Sequence, residues 1–184
     1  MAASPYDPDV VDSKAVRPEY APPPFYFRQT SSDKAVRYVA WPGNATRAQT
    51  VFGALLRLMP DELDVLLKLD KQDTADGPTF VRYHGPVQRE SLLEAIAQTA
   101  DLIYRDGYTQ LCVRQPDNGE YIVLDEYGLI WVYSDAALVP PLAEHLRMQR
   151  TDLITAGGCY RRRIPNAVEQ ERQFVTLLKL EQVE

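Results

Sequence analysis

Tyr108-Thr-Gln-Leu-Cys-Val-Arg114, then Gln115-Pro-Asp117-Asn118-Gly119, Glu120-Tyr-Ile-Val-Leu-Asp125, Glu126-Tyr127-Gly128 and Leu129-Ile-Trp-Val-Tyr133: this stretch decides how the chain folds. Three short runs rich in β-branched and aromatic residues are separated by two tight turns, the pattern of an antiparallel meander. Asn118-Gly119 predicts a type I′ hairpin, because both central residues of that turn need positive φ. The second and third runs are apolar on both faces, Ile122 and Leu124 against Tyr121 and Val123, Ile130 and Val132 against Leu129, Trp131 and Tyr133. Strands of that kind are covered on both sides, so residues 108–133 are expected at the centre of a sheet.

Upstream, Gly85-Pro86 is expected to open a long helix, proline being suited to the first helical position. Leu92, Ile96, Ala100 and Ile103 form its stripe, with Leu93, Ala97 and Tyr104 beside it, and Asp106-Gly107 ends it. Asp61–Asp70 alternates Val65, Leu67 and Leu69 with Leu66 and Lys68 and reads as a strand, with Thr79–His84 returning beside it across a polar loop at 71–78. Earlier still, Phe25–Arg28 and Val36–Trp41 read as strands. Thr46 and Gln49 have capping-box spacing ahead of a helix whose stripe is Val51, Phe52, Leu55, Leu56 and Met59, stopped by Pro60.

Downstream, a short helix is expected from Pro140-Pro141 through Leu142, Leu146 and Met148, and Gly157-Gly158 breaks the chain. Tyr160–Arg163 reads as a strand, Pro165–Arg172 as two helical turns and Phe174–Glu181 as a last strand. The expected class is α+β: a single domain with a mainly antiparallel sheet, a central meander at 108–133 and two main helices packed on it. Residues 25–184 form that domain. Residues 1–24 read as an extended arm, because Pro5, Pro8, Pro18 and Pro22–Pro24 exclude regular helix and Val10-Val11 is too little apolar surface to order it alone.

Composition narrows the function. The net charge of −6 argues against nucleic acid, whose phosphates need a basic stripe, and is compatible with a partner protein that is itself basic. No run reaches the roughly 18 apolar residues that cross a bilayer, and no basic segment followed by an apolar stretch marks a secretion signal. Two cysteines, Cys112 and Cys159, stand outside any CxxC pair and read as reduced thiols of a cytoplasmic protein.

Reaction chemistry finds little support. His84 and His145 have no HxH or HxxxH partner, so no metal is expected. There is no G-x-S-x-G elbow, no phosphate-binding loop and no dinucleotide fingerprint around Gly157-Gly158. Cys159 has arginines nearby but no histidine base in sequence. No catalytic residue and no cofactor are therefore expected.

What remains is surface. Eleven tyrosines against five phenylalanines give contact area with a polar handle. Asp117, Glu120, Tyr121, Asp125, Glu126, Tyr127, Tyr133 and Asp135 mark the turns of the meander, and would make an acidic, tyrosine-bearing rim if those turns face the same way. The expected role is a non-enzymatic protein-binding module, such as a bacterial immunity-type inhibitor that neutralises a toxin. The alternative is an assembly subunit of a larger particle such as a virion, with the N-terminal arm joining neighbouring copies.

Overall fold

The computed structural model describes residues 24–30, 36–71, 79–117, 119–134, 143–144, 146–150 and 163–183. They form one nine-stranded mixed sheet with helices on one face. In chain order the elements are β1 (Phe25–Thr30), β2 (Val36–Trp41), α1 (Ala45–Leu58), β3 (Glu62–Asp70), β4 (Phe80–Gln88), α2 (Arg89–Gln98) and α3 (Ala100–Tyr104). There follow β5 (Thr109–Arg114), β6 (Tyr121–Leu124), β7 (Ile130–Tyr133), β8 (Gln149–Arg150), α4 (Ala167–Leu178) and β9 (Glu181–Val183).

Across the sheet the order is β8-β1-β2-β7-β6-β5-β3-β4-β9. Every pairing is antiparallel except β1 with β8. The meander β5-β6-β7 occupies the middle, as its composition requires. The expected arm and the strand at Tyr160–Arg163 fall almost wholly outside the described residues, as do residues 140–142 and 145 of the helix expected across Pro140–Met148.

Alternation sorts the strand side chains into two faces. Leu63, Val65, Leu67 and Leu69 of β3 join Leu111, Val113, Ile122, Leu124, Ile130 and Val132 beneath the helices, where each is buried. From α1 the stripe Val51, Phe52, Leu55 and Leu56 meets them, and Phe52 sets its ring edge-on to Tyr104 at 6.5 Å between centroids. Phe174 and Leu178 of α4 and Leu92 and Ile96 of α2 complete the same core.

On the opposite face the buried hydrophobic residues among the described ones are Phe25, Val39 and Trp41, a small separate cluster with Leu129 and Trp131 packed against it. The meander's own outward residues, Cys112, Tyr121, Val123, Trp131 and Tyr133, are half-buried there. On the inner face the helices cover the meander as expected, and on the outward face no described helix lies. Aromatic residues, which tolerate a partly wet surface through their polar atoms, stand where a second buried layer was expected.

Several boundaries also differ from the sequence reading. Strand β4 runs straight through Gly85-Pro86 to Gln88, and the helix begins only at Arg89. Strand β9 flanks β4 only at Arg82–His84, so at Pro86 β4 is itself the sheet edge, where a missing N–H is tolerated. Gly85 is needed for another reason: a Cβ there would lie 3.2 Å from Leu180, just past the end of α4. The expected single helix is divided at Thr99. There the Thr99 hydroxyl donates back to the Ala95 carbonyl at 2.8 Å, and the Leu102 N–H is taken by the Gln170 side chain at 2.8 Å.

Phe174–Leu178, expected in the last strand, instead continue the helix expected at Pro165–Arg172 as α4, the third sizeable helix, and the last strand, β9, begins only at Glu181. The buried positions of α4, Ala167, Gln170, Glu171, Phe174 and Leu178, keep helical spacing. Helix α1 is capped by Asn44, whose Oδ1 accepts from Arg47 N–H at 2.9 Å, two residues before the expected Thr46 cap.

The hairpin between β5 and β6 closes at Gln115, whose N–H donates to Glu120 O at 2.8 Å. Its loop therefore spans residues 116–119, longer than a two-residue type I′ turn. Gly119 supplies positive φ (73°) and donates back to Gln115 O.

Two buried acids tie the last helix region to the sheet. Asp106, fully buried, accepts from Thr109 Oγ1 at 2.7 Å, Ile164 N–H at 3.0 Å and Arg163 Nη1 at 3.3 Å. Arg163 also donates to the Asp70 carbonyl and lies over the Tyr108 ring. Glu171 accepts from Lys71 Nζ and, at 2.9 Å, from Tyr83 OH. A buried carboxylate without such partners would be strongly unfavourable, so these contacts fix where α4 docks.

Candidate functional site

The outward face of the meander gathers a cluster that neither strand could build alone. Register pairs Tyr121 with Tyr133, Val123 with Trp131, and Tyr133 with Arg37 of β2. The Tyr121 and Tyr133 rings stack at 4.1 Å between centroids, 17° from parallel. Arg37 Nη1 donates to the Tyr133 hydroxyl at 3.1 Å, and the guanidinium carbon lies 5.0 Å from the Trp131 ring centroid and 5.9 Å from that of Tyr133. Burial beside Tyr133 raises the Tyr121 phenol above its ordinary range, with Arg37 pulling the other way. The cluster is a neutral, half-exposed aromatic platform with one fixed cation at its centre.

The residues expected to form an acidic rim are not brought together. In a meander the two turns lie at opposite ends of the middle strand, here about 13 Å apart for the four residues of β6. Asp117 and Glu120 stand at one end, and Asp125, Glu126 and Tyr127 at the other. Asp117 is exposed at its loop tip. Glu120 is engaged, accepting from Ser134 Oγ at 2.6 Å and from Gln115 Nε2 at 3.2 Å.

Asp125 is buried inside its own turn. Oδ1 accepts from Tyr127 N–H at 2.9 Å and Leu129 N–H at 2.8 Å, and Oδ2 from Trp131 Nε1 at 2.7 Å. Its job is local: it holds the Glu126-Tyr127-Gly128 turn, closed with Gly128 at φ 78°, and fixes the Trp131 ring. Glu126 is half-buried and Tyr127 exposed. Asp135 lies outside the described residues.

So of the eight residues, Tyr121 and Tyr133 form the cluster, and Arg37 and Trp131 were missed. Period-2 alternation alone places Trp131 beside Tyr133 on one face, so Trp131 was findable. Arg37 was not, because only the pairing of β2 with β7 brings it there.

Chemistry elsewhere is sparse. Cys112 is half-buried on this face, and burial pushes its thiol up to about 11. His84 is exposed on β4; His145 and Cys159 fall outside the described residues. Among the described residues no group of three or more His, Cys, Asp or Glu is placed to hold a metal ion. No described helix is long and apolar enough to cross a membrane. Compared with family models, with curated proteins and with solved structures, the chain matches none.

Proposed function

We infer that the protein works by binding another protein across the outward face of its sheet, as a non-enzymatic module. The observation that carries this reading is the Tyr121–Tyr133 stack with Arg37 and Trp131, half-exposed at the centre of a sheet face on which no described helix lies. Tyrosine, tryptophan and arginine dominate interface energetics because they bury much area with few torsions to freeze and keep polar atoms to pair. Such a cluster on a rigid sheet is already ordered, so little entropy is lost when a partner covers it.

Exposed Asp117 and the net charge of −6 give the rim and its approach a negative bias. The partner this favours is an apolar patch ringed by basic residues, drawn in by charge and held by the rings. Neutralising a basic protein by covering it, as an immunity-type inhibitor does, is the form of binding that fits. The assembly reading depends on residues 1–24, nearly all outside the described residues, and no specific observation favours it.

The test places a benzoylphenylalanine photocrosslinker at position 123, on the outward face, and in a control at position 168, exposed on α4. Position 123 should give one discrete adduct in extracts of the source cells, and position 168 none. The identified partner, purified, should then lose roughly 30-fold in affinity with Tyr133→Ala, a change of about 2 kcal/mol. An adduct from 168 alone, or an affinity untouched by Tyr133→Ala in a protein that still melts normally, overturns the reading.

A further inference from the structure

One row of apolar side chains crosses the outward face at right angles to its strands. Leu66 of β3 lies opposite Cys112 of β5, and Cys112 opposite Val123 of β6; Val123 pairs with Trp131 of β7, and Trp131 with Val39 of β2. All but Val39 are half-buried, so the row is open along four strands. The next outward residue of each strand stands two positions to either side of the row, and the two sides are unlike. Asp64 and Lys68 flank Leu66, Arg37 and Trp41 flank Val39, and Tyr133 and Leu129 flank Trp131. Asp64, Tyr133 and Arg37 share one side, in register through Arg114 and Tyr121, and Lys68, Leu129 and Trp41 share the other.

A two-fold axis laid along such a row sets each flank of one copy against the opposite flank of another, while the row meets itself. Asp64 then faces Lys68 of the second copy, and by symmetry Lys68 faces its Asp64. Arg37 faces Trp41, a pairing that suits guanidinium and ring, and Tyr133 meets Leu129. The charges of β3 are available for this. Neither Asp64 nor Lys68 makes an ion pair among the described residues, and the Lys68 ammonium rests over the exposed Phe80 ring, 4.2 Å from its centroid. Glu62 and Asp70, four positions from Leu66 on either side, meet as like charges only at the rim of such a contact, where solvent screens them.

We propose that a second copy of this chain occupies the outward face, in a two-fold dimer packed sheet on sheet about the row from Leu66 to Val39. The inference rests on the reading of this face as the binding face and adds its regulation: the dimer covers the tyrosine stack, and a partner displaces the second copy. From β4 to β2 the face is about 24 Å across and, over five residues, about 16 Å tall, so each copy covers on the order of 400 Å². Stable complexes cover about 800 Å² on each partner, so this dimer is weak, with a dissociation constant on the order of 100 μM. It opens on dilution, as a face shared with a partner must.

The experiment is sedimentation equilibrium of the purified whole chain from about 10 μM to about 1 mM, a decade to either side of the expected constant. The unchanged chain should pass from monomer to dimer across that range. Asp64→Lys and Lys68→Asp each set like charges against each other at both β3 contacts and should weaken the dimer about tenfold or more. Mixed one to one, the two variants carry opposite charges at both contacts and should associate at least as tightly as the unchanged chain, a rescue that no general loss of folding produces. Cooperative thermal melts confirm that each variant is folded. Three outcomes overturn the proposal: a monomer throughout, a dimer indifferent to both substitutions, or a mixture no more associated than either variant alone. Each of them leaves the adduct at position 123 and the effect of Tyr133→Ala on the partner's affinity untouched, so this proposal and the partner reading fail separately.

Discussion

Asp125→Ala separates two roles for the most suggestive carboxylate in the meander, a partner-gripping acid and an internal anchor. In the structure its two oxygens accept from Tyr127 N–H, Leu129 N–H and Trp131 Nε1, all within 2.9 Å, and the side chain is 6% exposed. A hydrogen bond to a charged group contributes about 1.5–3 kcal/mol, and a buried donor left without an acceptor costs about 1–3 kcal/mol. The three are not additive. They share one carboxylate, and the Tyr127 amide belongs to a turn residue that water can reach once the side chain is gone. The Trp131 indole is less easily satisfied, because its ring is held against Val39 and Arg37. The expected loss is therefore about 3 kcal/mol, roughly 6–12 °C in Tm for a chain of this size. Urea titration followed by tryptophan fluorescence reads it directly, and the Trp131 emission should also shift to the red in the folded variant. A loss under about 1 kcal/mol with unchanged emission would refute the anchoring role and return Asp125 to the surface.

Gln170→Leu should destabilise by about 1–2 kcal/mol, because it strips the acceptor from the Leu102 N–H at the Thr99 break; faster hydrogen exchange at Leu102 is the specific sign, and unchanged exchange would contradict it. Cys112, its thiol pushed up to about 11 from 9.0, holds about 100-fold less thiolate than an ordinary cysteine near pH 8. In a Cys159→Ser background iodoacetamide should accordingly label the folded protein at least that much more slowly than the unfolded one, and equal rates would count against its burial. Burial, then Glu171, pushes the Tyr83 phenol up to about 12, so the folded state keeps this proton where the unfolded chain, with a value near 10, has lost it. That contribution is complete below about pH 10 and is lost as pH rises from there through 12. The urea midpoint should fall across that window, and Tyr83→Phe should make the fall shallower; an identical slope in the variant would be contrary.

The strand residues of the meander, the stripe of α1 and the alternation of β3 were all legible, because in each one periodicity acts alone. Elements were misread where two signals competed. In α4 the first turns, within Pro165–Arg172, read as helix, but the stripe there is carried by Gln170 and Glu171, whose polar partners Leu102, Lys71 and Tyr83 leave no apolar period to extend it past Arg172. The β-favouring run Phe174-Val-Thr then suggested a strand. Pro86 looked like a helix start because proline suits that position, yet an edge segment accepts it equally well. The hairpin loop ran longer than Asn118-Gly119 implies because the backbone closes at Gln115 and Glu120.

The proposed binding surface was half legible for a geometric reason. Tyr121 and Tyr133 were visible as aromatic meander residues, but the expected rim required two turns of one meander to meet, which its middle strand forbids. The cation at the centre of the cluster comes from β2, some ninety residues away in sequence from Tyr133. No local pattern announces a pairing of that separation, and strand order is fixed only once the whole sheet closes.

The most direct measurement is an amide-shift map of the protein bound to the partner captured at position 123. Changes should centre on Arg37, Cys112, Tyr121, Val123, Trp131 and Tyr133, and leave the outer surfaces of α1 and α4 unmoved. A map centred on those helices, with the tyrosine stack unperturbed, would contradict the account.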